Sequence, residues 1–182
     1  YIDNTNLIIC GEKNGDYAWF LHVLKALDSN GKAGIILPHG VLFRGNSEET
    51  IRKAVLEKRY IKGIVGLPAN LFYGTGIPAS IIIIDKENAD KREGIFMIDA
   101  SDGFKKEGNK NRLREQDIEK IMQTFIHQEK VEGYSRIITY KEILEENDKI
   151  YEILVAQKGS MDLTATQLRF GPFLSIKHSP VF

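Results

Sequence analysis

The chain has 182 residues, 42% of them hydrophobic, and its 25 basic side chains are balanced by 25 acidic ones. That is apolar material for one full core, or one domain and part of another, and it excludes a disordered, fibrous or strongly charged protein. Nucleic-acid binding would need a local patch rather than a global field, no apolar run approaches the ~20 residues that cross a bilayer, and the lone Cys10 forms no internal disulfide. No signal-peptide pattern opens the chain, so a cytoplasmic location is expected. The chain begins at Tyr1 and enters a structural pattern almost at once, as a fragment would.

In chain order, "DYAWFLHVLKAL" places Tyr17, Phe20, Leu21, Leu24 and Leu27 on one stripe at helical spacing, with Asp16 as N-cap. "SNGK" stops that helix, and "AGIILP" (33–38) reads as a short strand buried on both faces. "SEETIRKAVLEKR" predicts a second helix, capped by Ser47, with acids in its first turn. "YIKGIVGL" (60–67) and "ASIIIID" (79–85) read as strands. The segment between them is too short for a crossover helix, so they should run antiparallel. "GIFMIDA" (94–100) predicts another strand, and "REQDIEKIMQTFIH" a helix burying Ile118, Ile121, Met122 and Phe125. "SRIITYKEILEEN" (135–147) predicts a strand entering a short helix. The basic cluster "KKEGNKNRLR" (105–114) reads as a loop, and the last thirty or so residues show no clear period.

Alternating helices and buried strands predict an α/β fold: a doubly wound, mostly parallel sheet with helices on both sides and one antiparallel strand. In such sheets ligands bind outside the carboxyl ends of the parallel strands. "LPHGVLFRG" and "LPANLFYGTGIP" both belong to that edge and are expected to line one cleft.

Phe72-Tyr73-Gly74-Thr75-Gly76 fits F-x-G-x-G, the glycine loop with which methyltransferases hold S-adenosylmethionine. Such a loop needs a helix after it, whereas Pro78 and a β-branched run follow here, so the cofactor reading is rejected. Two readings stay open: the glycines only shape a turn, or they present Phe72 and Tyr73 to a flat base. His22 is read as packing or capping surface, and His39, after a strand end, as a weaker ligand candidate. "SPVF" at 179–182 is read as a chance match to the amino-methyltransferase loop, because it lacks the second proline. The basic cluster is either a solvated surface or a phosphate-contacting patch. No nucleophile triad, metal spacing or carboxylate pair stands out.

Together, "NGDYAWFLHVLKAL", "GKAGIILPHGVLFRG", "IRKAVLEK", "IKGIVGLPANLFYGTGIPASIIIID" and "IFMIDAS" resemble, in order and spacing, the modification subunit of type I restriction-modification systems, an adenine-specific DNA methyltransferase family. The resemblance spans about residues 14–148. It implies a seven-stranded sheet in which 33–38 is the fifth strand, 61–67 the sixth and 79–85 the reversed seventh. Pro38, Phe43, Phe72, Tyr73 and Thr75 would then border the pocket of an extruded target adenine. Arg44, Lys105, Lys106, Lys110, Arg112 and Arg114 would be candidates for the DNA backbone. In that family the cofactor loop and an N-P-P-[FY] loop precede the "GDYA" helix. The complete protein is therefore expected to use S-adenosylmethionine, while this chain alone is expected to bind no cofactor and to be inactive.

The partners so implied are DNA and the specificity and restriction subunits of a type I complex, with a second copy of the chain through an exposed sheet edge, and no membrane. Residues 1–100 would be the carboxyl-terminal half of the methyltransferase domain, 101–148 an α/β extension closing it, and 149–182 an unmatched tail. The alternative is a non-catalytic DNA- or partner-binding module derived from the same fold.

Overall fold

The computed structural model describes residues 15–145. Cys10, "SPVF" and the tail 149–182 lie outside the described residues.

Helix α1 (Asp16–Ala26) buries Tyr17, Phe20 and Leu24, with Leu21 and Leu27 packed beside them. Asp16 does not cap it. Gly15 holds the N-cap position, and the Asp16 carboxylate pairs with Arg44 on a neighbouring loop. Strand β1 (Lys32–Pro38) leads through a 3-10 turn (His39–Leu42) to helix α2 (Ser47–Glu57). Here Asn46, at φ 59°, is the N-cap and Ser47 the first helical residue, so the helix starts one position earlier than expected. Strands β2 (Ile61–Gly66) and β3 (Ala79–Asp85) follow, then β4 (Gly94–Asp99). A hairpin of β5 (Lys105–Glu107) and β6 (Lys110–Arg112) replaces the expected basic loop. Helix α3 (Glu115–His127), strand β7 (Ser135–Thr139) and helix α4 (Tyr140–Glu145) complete the described chain.

The main sheet has the order β1-β3-β2-β4-β7. β3 lies antiparallel between β1 and β2, with Ile35 and Ile64 both opposite Ile82. β2 and β4 pair in parallel, and β7 adds antiparallel to β4. β1, β2 and β4 therefore share one direction, but among the described residues only β2 and β4 are paired in parallel. The reason is that β3 separates β1 from β2, and β7 reverses again.

Side-chain alternation along the strands divides the interior into two layers. On one face, Ile64, Ile82, Ile84, Ile95 and Met97 pack against α1, α2 and Ile143 of α4. On the other, Val65, Phe96, Ile98, Ile81 and Ile83 pack against Ile121 and Phe125 of α3. Each fully buried Ile or Phe contributes about 1.5–3 kcal/mol.

Two expectations about burial are corrected. β1 is not covered on both faces: among the described residues it pairs on one side only, with β3, and Leu37 is buried but Ile36 is 52% exposed. In α3, Ile121 and Phe125 face the sheet, whereas Ile118 and Met122 are 45% and 53% exposed. The buried line also takes in Asp117 and Thr124, which rotates the helix away from its most apolar stripe.

Candidate functional site

The carboxyl ends of β1, β2 and β4 reach the same sheet edge, where β3 begins. The His39 amide donates to the Pro78 carbonyl (3.1 Å), Leu67 N–H to Ala79 O (2.9 Å), and Ala100 N–H to Gly66 O (2.9 Å). The connections after β1 and β2 are thereby adjacent.

The first connection, 38–46, is fixed by polar contacts from both flanking helices. The buried Tyr17 hydroxyl donates to Val41 O (2.7 Å), and burial pushes its pKa up to about 12. Arg52 donates to Arg44 O (2.9 Å) and Val41 O (3.3 Å). Arg44 itself bridges Glu48 (2.7 Å) and Asp16, so its guanidinium ties α1 and α2 to the loop. His39 is buried beside Pro38, and burial pushes its imidazole down to about 4, against an opposing pull from the Ala79 backbone and the Asp99 carboxylate. It is neutral near pH 7. Phe43 is 39% exposed.

The second connection, 67–78, closes on itself. Asn70 (φ 55°) donates its amide to Gly76 O at 3.4 Å, and the Thr75 hydroxyl accepts the Ile77 amide at 3.0 Å. Gly74 takes φ 79°, a conformation that favours glycine. Leu71 and Phe72 pack onto the second core layer, while Tyr73 is 95% exposed. The loop thus separates its two aromatics: Phe72 anchors it and Tyr73 projects.

The hairpin lies against this loop. Lys110 Nζ donates to Phe72 O (2.7 Å) and Thr75 O (3.0 Å). Asn111 gives its side-chain amide to Ala69 O (2.7 Å) and its backbone amide to Asn70 O (3.0 Å). Lys105 and Lys106 are exposed, and Arg112 makes a surface pair with Glu107 at 3.5 Å. Arg114 is held by Asp117 through two 2.8 Å bonds at the start of α3, which draws the Asp117 carboxyl below its usual range.

The structure therefore brings Pro38, Phe72, Tyr73 and Thr75 to one edge with the hairpin cations, and it engages Arg44, Lys110 and Arg114 within the protein. Asn111, Arg52 and Asn70 were not anticipated. A polar residue next to a glycine turn was the available signal for Asn111, but its partners lie about forty residues upstream. Among the described residues no cluster of His, Cys, Asp or Glu is arranged to hold a metal ion. The 72–76 glycine loop leads into β3 and not into a helix, so it does not fit as a cofactor cradle.

A reversed strand inserted between two parallel ones, with helices on both faces, places the described residues in the methyltransferase-like class of α/β folds. Residues 3–158 match the N-6 DNA methylase family, and the chain belongs to that family. It is 35% identical over 155 residues to the type I restriction enzyme MpnII methylase subunit of Mycoplasma pneumoniae, covering 81% of this chain and 28% of that relative. The MjaVII methylase subunit of Methanocaldococcus jannaschii is 36% identical over 160 residues, 84% of this chain and 27% of the relative. Among solved structures, the type I restriction-modification methyltransferase subunit of Streptococcus thermophilus superposes with a TM-score of 0.69 at 40% identity, over 75% of this chain and 29% of the other. The chain thus spans under a third of the length of these relatives. No helix among the described residues is long and apolar enough to cross a membrane.

Proposed function

We propose that this chain forms the target-base side of a type I DNA adenine methyltransferase, whose complete protein transfers a methyl group from S-adenosylmethionine to the exocyclic amine of adenine. The observation that carries the reading is Tyr73: a 95% exposed aromatic on a self-closed loop beside the 38–46 connection. An enzyme that acts on a base must take it out of the stack and hold it against apolar or aromatic groups, and a projecting tyrosine ring provides such a surface. Phe43, half-exposed on the adjoining loop, and Pro38 would add apolar contact. Thr75 shapes the loop through its bond to Ile77. Lys105 and Lys106, exposed on the hairpin, with Arg112, supply the phosphate contacts that dominate DNA affinity.

S-adenosylmethionine would supply the methyl group in the complete protein. The residues of this chain hold and orient the base and the backbone, so the chain alone is inactive. Its partners would be DNA and the other subunits of a type I complex. The side of β1 away from β3 pairs with no strand among the described residues, and it would take up further strands or a second copy.

Calorimetric titration of this chain with S-adenosylmethionine tests the division of labour. Absence of heat supports it. Micromolar binding would mean that the 72–76 loop or the tail 149–182 forms a cofactor site, and would overturn the assignment.

A further inference from the structure

The hairpin has strands of three residues with no apolar side chain, too little to fold on its own. What fixes it are four hydrogen bonds from Lys110 and Asn111, all to backbone carbonyls at positions 69, 70, 72 and 75. The same bonds fix the loop. An ammonium has three N–H donors, and Lys110 spends two of them on the carbonyls flanking Tyr73 and Gly74. Moving it to a phosphate would strip charged donors from both carbonyls, so a phosphate role and the observed geometry compete.

We propose that Lys110 and Asn111 are positioning residues: through the backbone of 69–75 they hold Tyr73 in its projecting pose, and Lys110 acts on the loop rather than on DNA. This rests on the target-base reading of the loop. It also links two surfaces, because the hairpin held by these bonds carries Lys105 and Lys106. Phosphate contacts on the hairpin then set the loop that receives the base.

Hydrogen exchange on this chain tests the positioning role directly. K110M and N111A should each speed exchange of the Asn70 and Asn111 amides roughly tenfold or more, while the β2 and β4 amides keep wild-type protection. K110R, which keeps a cationic N–H donor able to reach two carbonyls, should restore most of the protection. DNA binding by the complete methylase complex then separates positioning from phosphate contact. For K110M the slope of log K against log salt should stay at the wild-type value, whereas K106A should reduce it by about 0.9. The fluorescence of 2-aminopurine at the target position should fall in K110M, reporting a base less well held. Unchanged exchange together with a lost unit of salt slope would overturn the proposal. Loosened amides in a complex whose wild type binds no DNA would leave the positioning role standing and refute the methyltransferase reading instead. If K110M unfolds the chain, N111A and K110R decide, and wild-type exchange in N111A would count against the proposal.

Discussion

The His39 amide donates to the Pro78 carbonyl at 3.1 Å, joining the connection after β1 to the end of the connection after β2. One backbone bond between residues 39 positions apart makes two loops a single edge. It follows from register: Pro38 lies opposite Ala79, so the pairing of β1 with β3 continues one step past the strand end.

Tyr73 and Phe72 should separate binding from stability. Tyr73→Ala removes an exposed ring and should change folding stability by less than ~0.5 kcal/mol, yet weaken binding to DNA with an extruded base by about tenfold in the complete complex. Phe72→Ala removes a half-buried anchor and should cost on the order of 1–3 kcal/mol in urea unfolding. Equal effects of the two on stability would contradict this split.

His39 should make stability depend on pH. Its folded pKa, about 4, lies below the usual ~6.5, because the buried ring resists charging. The unfolded chain therefore binds the extra proton between those values. Stability is fully present above about pH 6.5 and is lost as pH falls toward about 4, by on the order of 2–3 kcal/mol from this group. Urea midpoints measured for wild type and His39→Gln over that window should diverge in slope, the variant being flatter.

Gly63 is a close-approach site. A Cβ there would run into the Phe125 ring of α3, with the Phe96 carbonyl 3.0 Å away. Gly63→Ala should destabilise by about 1–3 kcal/mol through overpacking, and Gly63→Ala/Phe125→Leu should recover part of that loss. Strict additivity in thermal unfolding would show that the ring is not the obstacle.

Arg44 holds the first loop from two sides, and its pairs with Asp16 and Glu48 are largely shielded from water. Arg44→Ala should cost about 1–3 kcal/mol, and Arg44→Lys should recover little, since an ammonium lacks the planar fork that meets two carboxylates. Proteolytic nicking within 38–46 should rise in both variants.

The sequence was informative where burial fixes period. β2, β3 and β4 are covered on both faces and read as continuous apolar runs, so all three were legible as strands, and the short 68–78 connection made the reversal of β3 legible. β1 reads the same way, yet among the described residues it pairs only with β3, and nothing in "AGIILP" announces its exposed face. Asp16 and Ser47 have the chemistry of caps, yet one pairs with a distant arginine and the other sits one step inside its helix. The hairpin was invisible because its residues are polar and its stability comes from carbonyls far upstream. Of the site, the edge and its aromatic loop were legible, while the division between anchoring Phe72 and projecting Tyr73 is set by how the loop packs on the second core layer, which adjacent aromatics in a sequence do not reveal.

The most direct test of the central claim is photocrosslinking. Tyr73 would be replaced by p-benzoylphenylalanine in the complete methylase complex bound to its own recognition duplex. The expected product is a crosslink that maps to the adenine that becomes methylated. A crosslink confined to another subunit, or to DNA away from that adenine, would contradict the claim.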